Sequence, residues 1–122
     1  MSPLFRLRSL KAGASQPTLS VEDRAVLEQL RQAGSDLSRP HPIDHYLYFP
    51  KEDAARSAAN VLRGEGYRVD VRVGADEVNW LALASHSIVP TPQTIAETTA
   101  RMEKLAASLG GEYDGWQAAV VK

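Results

Sequence analysis

Two segments of this chain alternate with period two, and the stretch between them does not. "IDHYLYF" (residues 43–49) sets Ile43, His45, Leu47 and Phe49 on one side and Asp44, Tyr46 and Tyr48 on the other. "YRVDVRV" (67–73) repeats the pattern, with Tyr67, Val69, Val71 and Val73 against Arg68, Asp70 and Arg72. Such alternation, rich in aromatic and β-branched residues, predicts strands with one covered face. Between them, Pro50 ends the first strand, and "KEDAARSAANVLRGEG" spaces Ala54, Ala55, Ala58, Val61 and Leu62 for a helix that stops at Gly64 or Gly66. A strand, a helix and a second strand in such close succession oblige the helix to lie across a sheet that both strands share.

The other elements follow by the same reading. "GADE" is a hairpin loop leading into the longer apolar strand "VNWLALASHSIV". In "PTPQ", Thr91 is an N-cap with Pro92 at the first helical position. Ile95, Thr98 or Thr99, Met102, Leu105, Ala106 and Leu109 mark the buried stripe of that helix, Gly110 its left-handed cap, and "YDGWQAAVV" the closing strand. Upstream, Ser20 caps a helix over 20–33 with Asp23 three residues on, and the helix stops at Gly34. "SDLSRPHP" is a loop. After the first helix the order is strand, helix, strand, strand, helix, strand. This predicts an α+β, ferredoxin-like βαββαβ sandwich, in which two helices cover one face of a four-stranded antiparallel sheet, plus the N-terminal helix.

Composition narrows the function classes. A chain of 122 residues, 43% hydrophobic and 24% charged, is the size and type of one ordinary globular domain. No run approaches the roughly 18 apolar residues of a membrane span. The absence of cysteine removes disulfides, thiolate metal sites and cysteine nucleophiles, and suits a reducing, cytoplasmic setting. The net charge of −1 advertises neither nucleic acid nor a membrane, but it is unevenly spread. Residues 1–19 carry Arg6, Arg8 and Lys11 with no acid and read as a flexible basic arm. That arm lacks the apolar core and cleavage site of a targeting peptide. Residues 20–122, with a charge of −4, read as the single folded domain.

"GGEYDGWQ" (110–117) contains an Asp-Gly pair, ordinarily a hairpin turn, yet helix precedes it and no second strand follows. At the start of a closing strand it reads instead as a bulge that re-aims Trp116 relative to Tyr113, with Asp114 accepting backbone hydrogen bonds. Tyr113, Asp114 and Trp116 clustered at a bend are also suitable interface anchors. "GGEYDGW" after an amphipathic helix, together with "IDHYLYF", resembles the RraB family, named for regulator of ribonuclease E activity B, over roughly residues 20–120. The resemblance implies a ferredoxin-like fold and a bacterial protein that binds and inhibits the endoribonuclease, modulating RNA turnover without catalysis.

No constellation of residues points to catalysis, a metal or a cofactor. His41 and His45 share a strand face, but Asp44 points away and no further ligand joins them. Ser85-His86-Ser87 is adjacency in sequence, which is not triad geometry. "RGEGYR" is a helix cap before a strand, not a phosphate loop. Glu52-Asp53 suits a helix start and Asp76-Glu77 a solvated loop.

The uncovered sheet face carries a separate expectation. Tyr46 and Tyr48 belong there with Arg68 and Arg72, joined by Trp80 if Leu81 and Leu83 face the core. Aromatics between arginines are how some sheets stack single-stranded RNA, the alternative function, although Asp44 and Asp70 share the face. The favoured reading is a protein contact through Tyr113, Asp114, Trp116, Tyr46 and Tyr48, with the aromatic face packed under the N-terminal helix or a second copy of the chain.

Overall fold

The computed structural model describes residues 18–122. The expected basic arm lies outside the described residues, except for Thr18 and Leu19, and Leu19 is half-buried against the folded part. Seven elements follow in order: α1 (Val21–Gln32), β1 (His41–Phe49), α2 (Glu52–Gly64), β2 (Arg68–Val73), β3 (Trp80–Ile88), α3 (Pro92–Ser108) and β4 (Glu112–Ala118). The four strands form one antiparallel sheet in the order β2-β3-β1-β4, so the protein is α+β.

Local chemistry sets most of the boundaries. The Ser20 hydroxyl accepts from the Asp23 N–H at 3.0 Å, and Glu22 and Asp23 fill the positive end of α1. α3 opens with a reciprocal capping box, in which Thr91 and Thr94 each accept the other's backbone N–H, and Pro92 sits in its first turn. Gly110 (φ 77°) ends it in the left-handed region, and the Gly111 N–H returns to the Ala106 carbonyl at 2.8 Å. The β2–β3 loop is longer than "GADE" suggests. It closes with the Gly74 N–H on the Asn79 carbonyl at 2.7 Å, and Asp76 Oδ1 accepts the N–H groups of Val78 and Asn79. Pro42 lies inside β1, opposite Ser87, beyond the last residue that β4 pairs, so its missing N–H costs no ladder bond on that side.

The core lies between the sheet and the helices. Ile43, His45, Leu47 and Phe49 are all fully buried on one face of β1. Ala82 and Ala84 of β3 meet Ala55 and Ala58 of α2 there, and these small side chains let helix and sheet approach closely. Leu27 of α1, Ile43 of β1 and Ile95 of α3 form a second cluster. α1 therefore packs on the same face as α2 and α3, and the expectation that it lies over the aromatic face of the sheet is overturned. An amphipathic helix seats its stripe where apolar area is available, and here Ile43, Ile88 and Trp116 at the end of the helix-covered face supply it.

Candidate functional site

The bulge in β4 decides where its aromatic side chains go. Gly115 pairs with Tyr46 and Tyr113 with Leu47, so Asp114 is the extra residue, and Gly115 adopts φ 119°, a conformation suited to glycine. Without the extra residue, Tyr113 and Trp116 would point to opposite faces of the sheet, because they are an odd number of positions apart. With it, both reach the helix side.

There both have structural partners: Tyr113 is buried and Trp116 is half-buried. Tyr113 is 5% exposed, and its hydroxyl lies 2.9 Å from His45 Nδ1. His45 Nε2 lies 3.0 Å from His86 Nε2, and the Tyr67 ring stacks on His86 with centroids 4.4 Å apart. Burial, and then His86, push the His45 imidazole down to about 3, and burial also lowers His86. Nearby Glu65 is held by Arg101, a pair joining the end of α2 to α3. Ser85 and Ser87 point away from His86, as strand alternation requires, and Ser85 instead donates to Asp44 Oδ1 at 2.7 Å. The sequence offers no triad, and the geometry assembles none from these three residues.

Trp116 donates from Nε1 to Asp23 Oδ1 at 2.8 Å, fastening α1 to the far end of the chain. Trp116→Phe keeps most of the ring and removes that donor. It is expected to cost about 1–2 kcal/mol, since the bond engages a charged acceptor. Faster amide exchange confined to α1, with a lower urea midpoint, is the result that checks it.

His41 has a different role from His45. It is fully buried, donates from Nδ1 to the Arg39 carbonyl at 2.8 Å, and has Nε2 2.6 Å from Ser35 Oγ, which also accepts the Val121 N–H at 2.9 Å. The two histidines thus serve separate hydrogen-bond sets. Among the described residues, no group of three or more His, Cys, Asp or Glu side chains is arranged to hold a metal.

The other sheet face is a grid of three rows, read from β2 to β4. The first is Arg72, Leu81, Tyr48 and Glu112; the second Asp70, Leu83, Tyr46 and Gly115; the third Arg68, Ser85, Asp44 and Gln117. The centre is apolar and the edges are polar. No described helix covers it; Leu81 is buried there, and Tyr46, Tyr48 and Leu83 are half-buried. Burial, then the Asp114, Tyr46 and Asp76 side chains, raise the Tyr48 phenol, which places acidic groups close to that ring.

Trp80 does not belong to this face. It pairs with Phe49 and packs on the helix-side core, because Leu81 and Leu83, not their neighbours, point outward. Either parity of β3 offers apolar residues; the small Ala82 and Ala84 were the signal that their side takes the helix. Of the nominated residues, the structure brings together Tyr46, Tyr48, Arg68 and Arg72, with Asp114 at the β4 edge, and sends Tyr113, Trp116 and Trp80 to the opposite side. The set formed by buried His45 and Tyr113 with half-buried His86 and Tyr67 was missed, although His45, Tyr67 and Tyr113 each sit at a covered position.

Fold and face together define, among the described residues, a three-helix, four-strand α+β protein whose helices all lie on one side of the sheet, with Tyr46 and Tyr48 on the other. The family model described as regulator of ribonuclease activity B, RraB, matches residues 20–118, and the chain belongs to that family. A comparison with curated proteins returned no match. No helix among the described residues is long and apolar enough to cross a membrane.

Proposed function

We propose that this chain is a non-catalytic, protein-binding regulator in the cytoplasm, which engages a ribonuclease of the ribonuclease E type and modulates RNA cleavage by contact. Its sheet order, with α2 and α3 as crossovers, is read as the ferredoxin-like arrangement. Membership of a family of ribonuclease regulators carries the proposal. The face that no described helix covers supports it: Tyr46 and Tyr48 sit on a central strand between charged edges, the distribution of an interface core and rim. RNA is the less favoured occupant, because Asp44, Asp70, Glu112 and Asp114 share the face and its edge with Arg68 and Arg72 and would repel phosphate.

The test is capture of the host's ribonuclease E by this chain, followed by an RNA-cleavage assay. Binding with a changed cleavage rate is expected. Tyr48→Ala should weaken binding by roughly tenfold or more, as truncation of a central aromatic anchor does. No binding together with unchanged cleavage removes the proposal, and salt-sensitive binding of RNA alone would transfer the face to the RNA reading.

A further inference from the structure

His45 and His86 face each other through the same ring atom. Their Nε2 nitrogens, brought together from 41 positions apart in sequence, stand 3.0 Å apart on the helix side of the β1–β3 pair. Two imidazole nitrogens bound to one ion at about 2.1 Å lie about 3.0 Å apart at a right angle and about 3.4 Å apart at a tetrahedral one. The pair is therefore already spaced for two adjacent corners of a square-planar or octahedral site. The neighbouring side chains fix both rings. The Tyr113 hydroxyl, 2.9 Å from His45 Nδ1, can accept from that nitrogen while Nε2 offers its lone pair, which is how a neighbouring acceptor steadies a metal-bound histidine. The Tyr67 ring stacks on His86 and stands edge-on to His45. Among the described residues nothing bonds to His86 Nδ1, so that nitrogen is open to carry the ring's proton. Burial favours the neutral form of both rings, the form that ligates. Arg101, whose charge reaches Tyr67, is engaged by Glu65.

We propose that His45 and His86 form a two-histidine site for a divalent transition-metal ion, Ni²⁺ or Cu²⁺ before Zn²⁺, which clasps β1 to β3 from the helix side. The right-angle spacing favours the first two ions, since zinc prefers the wider tetrahedral angle. The ion takes the place of the proton shared by the two Nε2 atoms, and that proton passes to His86 Nδ1. His45 is fully buried, whereas His86 and Tyr67 are half-buried, so the ion enters from the His86 side and water fills its remaining positions. With two protein ligands the site is weaker than the four-ligand sites of structural zinc. It lies on the opposite side of the sheet from Tyr46 and Tyr48 and does not depend on the ribonuclease reading.

Calorimetric titration of the full, metal-free chain with NiCl₂ near neutral pH is the test. Saturation at one ion per chain is expected, with a melting temperature that rises by several degrees in excess ion. The third histidine, His41, has both ring nitrogens engaged, by Arg39 and Ser35, and adds no competing site. His86→Gln, at a half-buried side chain, should weaken binding by about tenfold or more and abolish the melting shift. Unchanged circular dichroism will show that this variant folds. With Cu²⁺ in place of Ni²⁺, electron paramagnetic resonance should show coupling to two imidazole nitrogens. No saturable binding up to about 1 mM ion overturns the proposal. So does equal binding by His86→Gln, which would place the ion elsewhere on the surface, or a Cu²⁺ spectrum without the paired nitrogen coupling.

Discussion

Replacing Gly111 by alanine is expected to destabilise the protein by about 2–3 kcal/mol and lower its melting temperature by roughly 10 °C or more, a large loss for one methyl group. A Cβ built at Gly111 would stand 2.3 Å from Phe49 Cδ1, 2.4 Å from the Tyr48 carbonyl oxygen and 2.6 Å from Phe49 Cε1. No compensating shift is available. Phe49 is fully buried, and the carbonyl belongs to the central strand, so relief requires moving the sheet or the start of β4. The left-handed region plays no part at this position, where the constraint is space. Gly64, at the end of α2 with nothing within 4 Å and without positive φ, provides the contrast. Gly64→Ala should be neutral or stabilising by a few tenths of a kcal/mol, because alanine is the better helix former and limits the unfolded chain. Thermal unfolding of the two variants beside the wild type tests both signs, and a Gly111→Ala protein melting with the wild type would show that the β1–β4 contact is looser than described.

The second large effect is acid sensitivity above the carboxylate range. His45 sits between the Tyr113 hydroxyl and His86 with its imidazole held down to about 3, whereas an unfolded chain's histidine titrates near 6.5. Above about pH 6.5 neither state holds the proton, and the stabilisation from the buried neutral ring is fully present. As the pH falls below that value, the unfolded state takes up a proton that the folded state refuses. Stability then drops by about 1.4 kcal/mol per pH unit until the folded group itself titrates near 3. His86, also lowered by burial, adds to the loss in the same direction. Urea unfolding between about pH 6.5 and 4.5 isolates this effect, because ordinary carboxylates remain ionised through most of that window. His45→Gln keeps a polar group beside Tyr113 and removes the titration, so its slope should be flatter over the same range. An equal slope in the variant would assign the acid loss to other groups.

Much of this architecture is written locally. The caps at Ser20 and Thr91, the stops at Gly34 and Gly110 and the period-two runs around His45 and Val71 act within a turn or a strand pair, where neighbouring residues supply the whole of the physics. The β4 bulge was also legible, because a glycine after an aspartate at the start of a strand marks an irregularity. Its consequence was not. One inserted residue reverses the face of every side chain beyond it, and whether that puts Trp116 in solvent or under α1 depends on where α1 lies.

The face assignment of β3 shows the same limit. In "WLALASHSI" both parities hold apolar residues, so the hydrophobic pattern cannot choose between Trp80, Ala82 and Ala84 on one side and Leu81 and Leu83 on the other. The choice came from packing, since only the alanine side lets α2, itself lined with Ala55, Ala58 and Ala59, settle onto the sheet. The sequence by itself determined the elements, their order and the family, because these rest on periodicity, caps and a short local motif. Tertiary structure alone decided that the three described helices take one face, that Tyr113 and Trp116 serve the core and α1, and that Tyr46 and Tyr48 stand half-buried on the other. Those outcomes depend on which surfaces, distant in sequence, bury the most apolar area against each other.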